Sequence, residues 1–313
     1  MIRLIWRRAP AAAALVLLLV LVGACQSSAS SGSGKPGVRV GSTNFAEQSI
    51  LAELYAQALE ANGYHVERRL NLGPREIVEP ALESAQIDLY PEYLATLLAF
   101  VSKGSGASAG PAASSDPAAT ASALQAALQP KGLALLDYAP AVDTNGFVVT
   151  KATADKYHLT KLSDLAPVAS QLVLGGAPEC PDRPFCLPGL RDTYGLTFKD
   201  FKPLDAGGPL TVTALENNQI DVGLIFTTDA VIAARGLVPL ADDKHLQLAD
   251  NVVPVVRADL LSQAPADFKT ALNGVSAKLT TEELTSLNKA VSVDRKEPRD
   301  VAAAWLRDKG LVK

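Results

Sequence analysis

Apolar residues follow strand and helix periods in turn from residue 38 onward. Residues 38–41 begin with alternating valines and predict a short strand. Apolar side chains then recur at helical spacing over residues 45–59, and Asn44 with Glu47 offers a capping box in front of them. The Asn-Gly pair at 62–63 predicts the end of this helix. The folded part of the chain is therefore expected to open with a strand followed by a helix.

The alternation of strand and helix continues beyond this first pair. A strand is predicted at 64–72, a helix opened by Pro74 comes next, and a third strand is predicted at 87–90. Residues 102–121 are rich in Ser, Ala, Gly and Pro and predict a surface excursion. A βαβαβ series of this kind predicts an α/β fold, with a mainly parallel sheet covered by helices.

An internal echo is the most informative feature of the chain's organisation. Residues 81–88 and 214–221 are identical at six of eight positions, and the same offset pairs Tyr93 with Phe226. Chance similarity between two Ala- and Leu-rich helices is the alternative explanation. Two lobes that are built alike would produce this echo, and the carboxyl ends of their strands would face one another across a ligand cleft.

The chain is expected to cross between these lobes twice. One crossover is predicted near residues 140–145 and a return near residues 251–257. The corresponding domain boundaries are 38–142 for the first lobe, 143–251 for the second lobe and 252–313 for the return to the first. Two adjacent crossovers predict a hinge.

Composition excludes several classes of protein. The chain has 313 residues, of which 48% are hydrophobic and 20% charged, so it can bury a sizeable core and is not wholly disordered. The 29 Lys and Arg residues and the 33 Asp and Glu residues give a formal net charge of −4. Because the basic residues are dispersed, a nucleic-acid partner is disfavoured.

The N-terminus has the pattern of an export signal. Three arginines among the first eight residues precede an apolar run at 11–22, which is too short to span a bilayer, and small residues lead to Cys25. The pattern resembles the lipobox of bacterial lipoproteins, which implies a signal peptide over 1–24, a lipid on Cys25 and a flexible tether over 25–37. An ordinary signal peptide with an incidental cysteine is the alternative. We expect an exported protein anchored to the outer face of the bacterial cell membrane.

Two further cysteines, Cys180 and Cys186, lie in one short loop. In an exported protein such a pair tends to oxidise, so a disulfide is predicted. The spacing has no second half elsewhere and no nearby histidine, which disfavours a zinc site. The ring would stiffen the loop that carries Arg183.

Several separated segments resemble one family over nearly the whole mature chain. Residues 41–48, 89–93, 179–183, 194–196 and 228–229 resemble the osmoprotectant-binding proteins of ABC importers, the glycine betaine, carnitine and choline group. The resemblance implies a two-lobed periplasmic-binding-protein fold of type II, joined by two hinge crossovers. It also implies a small ligand trapped between the lobes and delivered to a permease driven by an ATPase, with no cofactor and no metal.

The same resemblance assigns roles to single residues. Tyr93 and Thr96 match the family's Tyr-x-x-Thr loop, in which the tyrosine helps to cage a quaternary ammonium group and the threonine helps to hold a carboxylate. Arg183 matches the carboxylate-binding arginine, whose planar fork suits such a group. Two alternatives stay open, since Tyr93 could fill the core and Arg183 could form a surface ion pair.

Departures from the family pattern concern the ligand. Asn145 and Val212 stand where further tyrosines of the cage are usual, and Thr43 stands where a lysine often supports the carboxylate. A less cationic or larger solute than glycine betaine therefore stays open. Polar residues that could hydrogen-bond such a ligand are Gln48, Asp143, Asn145, Thr227, Thr228 and Asp229.

Other function classes have weaker support in the sequence. A binding protein for another amino-acid-like solute and a ligand sensor without transport share all of these residues. An exported hydrolase is disfavoured, because the G-x-S-x-G pattern at 106–110 lies in low-complexity sequence rather than between a strand and a helix. The three histidines, His65, His158 and His245, are far apart, and no metal site is predicted.

Overall fold

Two five-stranded sheets organise the protein, whose computed structural model describes residues 34–103 and 113–313. The strands are β1 Val38–Gly41, β2 Val66–Arg69, β3 Leu89–Tyr93, β4 Leu133–Leu135, β5 Asn145–Val149, β6 Val173–Gly176, β7 Asp200–Pro203, β8 Val222–Phe226, β9 Val238–Pro239 and β10 Val252–Arg257. The helices are α1 Ala46–Ala61, α2 Arg75–Glu83, α3 Leu94–Lys103, α4 Pro117–Leu128, α5 Lys151–Tyr157, α6 Leu187–Tyr194, α7 Pro209–Glu216, α8 Val231–Ala234, α9 Ala258–Gln263, α10 Ala266–Lys278, α11 Thr281–Asn288 and α12 Pro298–Asp308.

The two sheets have the same topology. Their strand orders are β2-β1-β3-β10-β4 and β7-β6-β8-β5-β9. In each sheet one strand, β10 or β5, runs against both of its neighbours, and the other four point the same way. The predicted two-lobed α/β architecture with mainly parallel sheets is therefore confirmed.

The internal echo is a structural repeat. Helix α2 and strand β3 of the first lobe correspond to α7 and β8 of the second, and Ala85 and Asn218 in the intervening turns share a left-handed backbone, with φ of 58° and 54°. Asp88 and Asp221 each accept a backbone N–H from the neighbouring strand at 2.8 Å. The matching sequences thus form the same turn in both lobes, directly before strands β3 and β8.

Each sheet buries both of its faces. In β10, Val252 and Val256 pack with α1, α10, α11 and α12, while Val253 and Val255 pack with α2, α3 and α4 on the other face. In the second lobe, Val149 packs with α5 and α6, whereas Val148 lies with α7.

The chain segments that join the two sheets lie side by side. Val142 and Asn251 form an isolated antiparallel bridge, and the backbone N–H of Asp143 donates to the carbonyl of Asp250 at 3.2 Å. Strand β4 of the first sheet precedes this bridge and β5 of the second follows it. The pair of crossovers has the arrangement expected of a hinge.

Three local predictions differ from the structure. Helix α1 begins at Ala46 after an extended Phe45 and has no side-chain cap, so the capping box of Asn44 and Glu47 is wrong. The third strand begins at Leu89 rather than at residue 87, because residues 84–88 form the repeated turn. Part of the predicted excursion is helical, since α4 starts at Pro117 after Asp116, whose carboxylate accepts the N–H of Ala118 at 2.9 Å.

The predicted signal peptide, Cys25 and nearly all of the tether lie outside the described residues, as does the G-x-S-x-G pattern at 106–110. Within residues 34–103 and 113–313, every helix is too short or too polar to cross a membrane.

Candidate functional site

A cleft of about 510 Å³ opens between the carboxyl ends of the strands of the two lobes. Strands β3 and β8 reach it through their last residues, Tyr93 and Phe226, which are equivalent in the repeat. Seven of the nine ligand residues predicted from the sequence line this cleft, namely Thr43, Gln48, Tyr93, Thr96, Asp143, Asn145 and Arg183. The other two, Thr228 and Asp229, do not line it.

Aromatic rings from both lobes form one wall of the cleft. Phe45 stacks against Tyr93, with ring centroids 6.5 Å apart, and contacts Phe226 of the other lobe at 4.8 Å. Phe100 and Phe185 also line the cavity. The sequence comparison with a tyrosine cage overlooked these phenylalanines, although the internal echo had paired Phe226 with Tyr93.

The two positions where cage tyrosines are usual lie in different surroundings. Asn145 faces the cleft, and its side-chain amide donates to the carbonyl of Phe185 at 2.9 Å. Val212 is buried in the apolar cluster between α7 and the second sheet and does not line the cleft. The aromatic surface is therefore supplied by other elements.

Tyr93 belongs both to the core of the first lobe and to the cleft wall. Its side chain is almost fully buried, and its hydroxyl donates to Glu47 Oε1 at 2.5 Å. Burial, followed by the nearby carboxylate of Glu47, raises the pKa of Tyr93 well above its usual range. The phenol therefore stays neutral and presents a ring rather than a charge.

A buried ion pair holds Thr96 in place. Arg75, the first residue of α2, forms a two-point contact with Glu92, with Nε–Oε1 at 2.5 Å and Nη2–Oε2 at 2.7 Å, and Nη2 also donates to Thr96 Oγ1 at 2.8 Å. The backbone N–H of Thr96 donates to Asp250 Oδ1 at 2.9 Å. Burial raises the pKa of Asp250 to about 7. Sequence analysis missed Arg75, because nothing local distinguishes it from a surface arginine.

Arg183 reaches across the cleft to the first lobe. Its Nη2 lies 2.9 Å from Oε2 of Glu76 on α2, and both side chains are only partly buried. Lys103 of the first lobe also donates to the backbone carbonyl of Asp182. The alternative of an ion pair is thus observed for Arg183, and its role in binding a carboxylate stays a prediction.

The predicted disulfide joins Cys180 and Cys186 and is confirmed. The ring that it closes contains Arg183 and Phe185, which line the cleft. The carbonyl of Phe185 accepts hydrogen bonds from Asn145 at 2.9 Å and from Gln247 at 3.0 Å. Covalent and hydrogen-bonded constraints therefore fix the same segment of the cleft wall.

Replacing both cysteines of the ring with serine should loosen this wall. We expect the free energy of unfolding to fall by about 2 kcal/mol at most, because the ring is small. Affinity for the cleft ligand should fall roughly tenfold, about 1.4 kcal/mol, when calorimetry is done well below the unfolding midpoint. Wild-type protein treated with reductant serves as the control. Unchanged affinity in both samples would contradict the role given to the ring.

The remaining predicted residues have defined partners. Thr228 donates through its backbone to Asp143 and through its hydroxyl to Glu47, and Asp229 accepts the N–H of Val231 at 2.9 Å. Gln48 Oε1 accepts the N–H of Thr43 at 3.4 Å, and Thr227 Oγ1 donates to Asp143 at 3.1 Å. The hydroxyl of Thr43 is buried and has no hydrogen-bond partner among the described residues.

Charge in the cleft favours a cation. Three basic and six acidic side chains line it. Two of the basic groups, Arg75 and Arg183, are already paired with glutamates. Within the described ranges, no three His, Cys, Asp or Glu side chains are grouped so that they could hold a metal ion.

Comparison with known proteins agrees with this geometry. Residues 36–308 match the family model of the substrate-binding domain of ABC-type glycine betaine transport systems. The chain is 29% identical over 284 residues to the glycine betaine-binding protein YehZ of Escherichia coli, covering 88% of this chain and 92% of that protein. It is 28% identical over 296 residues to the carnitine transport binding protein OpuCC of Listeria monocytogenes, covering 94% and 93%.

A solved structure described as a glycine betaine/carnitine/choline ABC transporter superimposes with a TM-score of 0.67 at 29% identity, covering 88% of this chain and 99% of that chain. The resemblance drawn from the sequence and the two-lobed type II fold are both confirmed. The matched family is one of transport binding proteins rather than of enzymes. The match takes in both sheets and every cleft residue described above, and the chain therefore belongs to the substrate-binding domains of ABC-type glycine betaine transport systems.

Proposed function

We propose that this protein captures a small quaternary ammonium osmolyte, glycine betaine or a close relative such as choline or carnitine, outside the cytoplasm and delivers it to an ABC permease. The observation that carries the proposal is the aromatic wall of Phe45, Tyr93 and Phe226 beside the carboxyl of Asp143. A quaternary ammonium group cannot donate hydrogen bonds, so aromatic faces and a nearby negative charge are what recognise it. The unpartnered hydroxyl of Thr43 supports a polar group on the same ligand.

Closure around the ligand follows from where these residues lie. Tyr93 and Thr96 belong to the first lobe, whereas Asn145, Arg183 and Phe226 belong to the second. A solute that touches both sets binds the closed arrangement more tightly and shifts the population toward it. A permease that recognises the closed arrangement would then distinguish loaded from empty protein.

A thermal-shift panel tests the proposed ligand class. The panel comprises glycine betaine, proline betaine, carnitine, choline, ectoine, proline and arginine, and a ligand at 100 times its Kd should add roughly 2.7 kcal/mol of stability. The matched control is dimethylbutanol, a neutral analogue of choline in which carbon replaces the charged nitrogen. This analogue should have no effect on stability. Silence across the panel, or an equal response to this analogue, would exclude a quaternary ammonium ligand. Uptake by a deletion strain then separates a transport protein from a sensor.

Arg183 is the proposed partner of the ligand's carboxylate, and Glu76 competes for it. We expect Arg183→Lys to weaken glycine betaine binding by about 2 kcal/mol, because one ammonium cannot reproduce the two-point contact. Glu76→Gln should strengthen binding, since it removes the competing charge. Choline, which has no carboxylate, is the control and should bind both variants like the wild type. Calorimetry that finds the same affinity of glycine betaine for Arg183→Lys would refute the assignment.

Anchoring at the membrane is the remaining part of the proposal. A lipid on Cys25 would hold the protein at the outer face of the cell membrane, with residues 26–37 as a tether. We expect fatty-acid labelling of the protein in its producing bacterium to disappear in Cys25→Ala. Cys180→Ser, made in parallel, should keep the label. Equal labelling of the wild type and Cys25→Ala would contradict the anchor.

A further inference from the structure

Two buried carboxyl groups, those of Glu47 and Asp143, lie near one another, and Asp143 lines the cleft beside the first crossover. Each residue is 4% exposed. Thr228 joins them, because its backbone N–H donates to Asp143 Oδ1 at 3.0 Å and its hydroxyl donates to Glu47 Oε2 at 2.5 Å. The Glu47–Asp143 pair therefore forms one hydrogen-bonded unit that links the first lobe to the second.

Neutral donors complete the surroundings of the pair. Tyr93 OH and Asn288 Nδ2 each donate to Glu47 at 2.5 Å. Thr227 Oγ1 donates to Asp143 Oδ1 at 3.1 Å. Among the described residues, both donors to the carboxyl of Asp143 thus bond to Oδ1, and its other oxygen, Oδ2, accepts no hydrogen bond from them.

Within the part of the chain that the structure describes, no ion pair joins a basic group to Glu47 or Asp143, and Lys103, the third basic group of the cleft, donates to the carbonyl of Asp182. Arg75 and Arg183 are each paired with a glutamate of the first lobe. The charged group that faces the pair from the segment after β8 is the carboxyl of Asp229, a further acid. From the second crossover, Asp250 contacts the pair through its backbone carbonyl and directs its carboxyl to Thr96.

A second, independent observation points to a ligand at this place. Thr43 is 7% exposed and lines the same cleft, yet its hydroxyl has no hydrogen-bond partner among the described residues. Buried hydroxyls normally find partners, so an unpaired one beside a cavity indicates a group that arrives with a bound molecule. Asp143 and Thr43 would then contact the same occupant.

Two ionised carboxylates are unfavourable in a dry site without a cation. Burial, and next the charge of Glu47, raises the pKa of Asp143 well above its usual range, and burial also raises the pKa of Glu47. Glu47 receives three hydrogen bonds, which favour its ionised form, whereas Oδ2 of Asp143 receives none from the described residues. Oδ2 of Asp143 is therefore the oxygen of the pair that can hold a proton without displacing a hydrogen bond from the described residues.

We propose that the Glu47–Asp143 pair is a proton-linked counter-ion for the positively charged group of the ligand. The empty protein holds one proton on Asp143 Oδ2. When a quaternary ammonium group settles against the rings of Phe45 and Phe226, that proton leaves to solvent and the freed carboxylate balances the cation. One positive charge enters as another departs, so the net charge of the cleft is unchanged. The inference rests on the proposed function, because it requires a cationic solute.

The proposal gives binding a dependence on pH that an aromatic cage alone would not produce. Choline carries the same charge at every relevant pH, so any change in its affinity reports the protein. Below the pKa of the empty pair the affinity for choline should rise about tenfold per pH unit, since one proton must leave. Above that pKa the affinity should level off.

The first measurement needs no ligand. Infrared spectroscopy of the empty protein at about neutral pH should show the C=O stretch of a protonated carboxylic acid, which is absent from ionised carboxylates. Asp250, whose pKa burial raises to about 7, absorbs in the same region, so the signal assigned to Asp143 is the part of the band that is lost in Asp143→Asn and retained in Asp155→Asn, a variant of an exposed acid on α5. The proposal would be overturned if the empty wild-type protein and empty Asp143→Asn showed the same band.

The second measurement counts the proton. Calorimetry with choline and with glycine betaine is carried out from about pH 5 to about pH 8, in buffers of different ionisation enthalpy. We expect release of about one proton and a rising affinity for the wild type and for Asp155→Asn. Asp143→Asn should bind choline more weakly, with no proton release and no dependence on pH.

The outcomes separate this inference from the proposed function. Binding that releases no proton, or persistence at saturating choline of the part of the infrared band that Asp143→Asn removes, would overturn the counter-ion while leaving the osmolyte-binding function intact. Failure of every quaternary ammonium compound of the thermal-shift panel to bind would overturn the counter-ion and the proposed function together. Loss of the band on binding, with matched proton release, would support both.

Discussion

Replacing Arg75 with alanine should lower the free energy of unfolding by about 3–5 kcal/mol, the loss typical of breaking a buried ion pair from one side. Glu92 is 1% exposed, so the substitution leaves a carboxylate in the core of the first lobe without its cation. Thr96 would also lose its hydrogen bond with Arg75. Urea denaturation monitored by circular dichroism measures the loss.

Two variants control this result. Lys151→Ala removes one partner of an exposed pair with Asp155 on α5, and it should change stability by no more than about 0.5 kcal/mol. Arg75→Met combined with Glu92→Gln removes both charges, keeps an acceptor for the backbone N–H of Tyr93, and should recover much of the loss. The burial argument fails if Arg75→Ala proves as stable as Lys151→Ala.

Tyr93→Ala should weaken choline binding by about 2 kcal/mol, roughly thirtyfold, because a desolvated cation loses one of its aromatic faces. Phe226→Ala should have a similar effect from the second lobe, since its ring completes the same wall. Calorimetry is carried out well below the unfolding midpoint, because Tyr93 also belongs to the core.

The matched control for these substitutions is Tyr157→Ala in the second lobe, whose partly buried ring packs against the core of that lobe and contacts Lys156, away from the cleft. Its affinity for choline should equal that of the wild type. Unchanged binding by both Tyr93→Ala and Phe226→Ala would show that the aromatic wall does not contact the cation. A loss in Phe226→Ala alone would place the cation against the second lobe.

Much of the fold could be predicted from periodicity and from the repeat. Apolar spacing indicated α1, Pro74 indicated the start of α2, and the echo of residues 81–88 at 214–221 indicated two lobes of one design. Strand ends were predicted less well, because residues 87–88 were assigned to the strand and instead belong to a turn with a left-handed residue, Ala85. Local sequence leaves such a shift of two residues undetermined.

The residues of the candidate site were likewise predicted only in part. Motifs placed Tyr93, Thr96 and Arg183 at one cleft, and the structure brings all three to its wall. Glu47, predicted as part of a helix cap, is instead a buried acid of α1 that accepts a hydrogen bond from Thr228 of the second lobe. Its hydrogen-bond partners Thr228 and Asn288 lie far away along the chain, so no local sequence pattern indicated them.

The sequence by itself determined the α/β class, the duplicated lobes, the disulfide and the family, since each depends on spacing within short segments or on a match of segments in order. Only the tertiary structure decided what faces what across the cleft. Thr228 and Asn288 reach Glu47 from 181 and 241 residues away, and Arg183 meets Glu76 at a separation of 107. Such contacts arise when two lobes pack around a hinge, and no periodicity along the chain encodes which side chains then become neighbours.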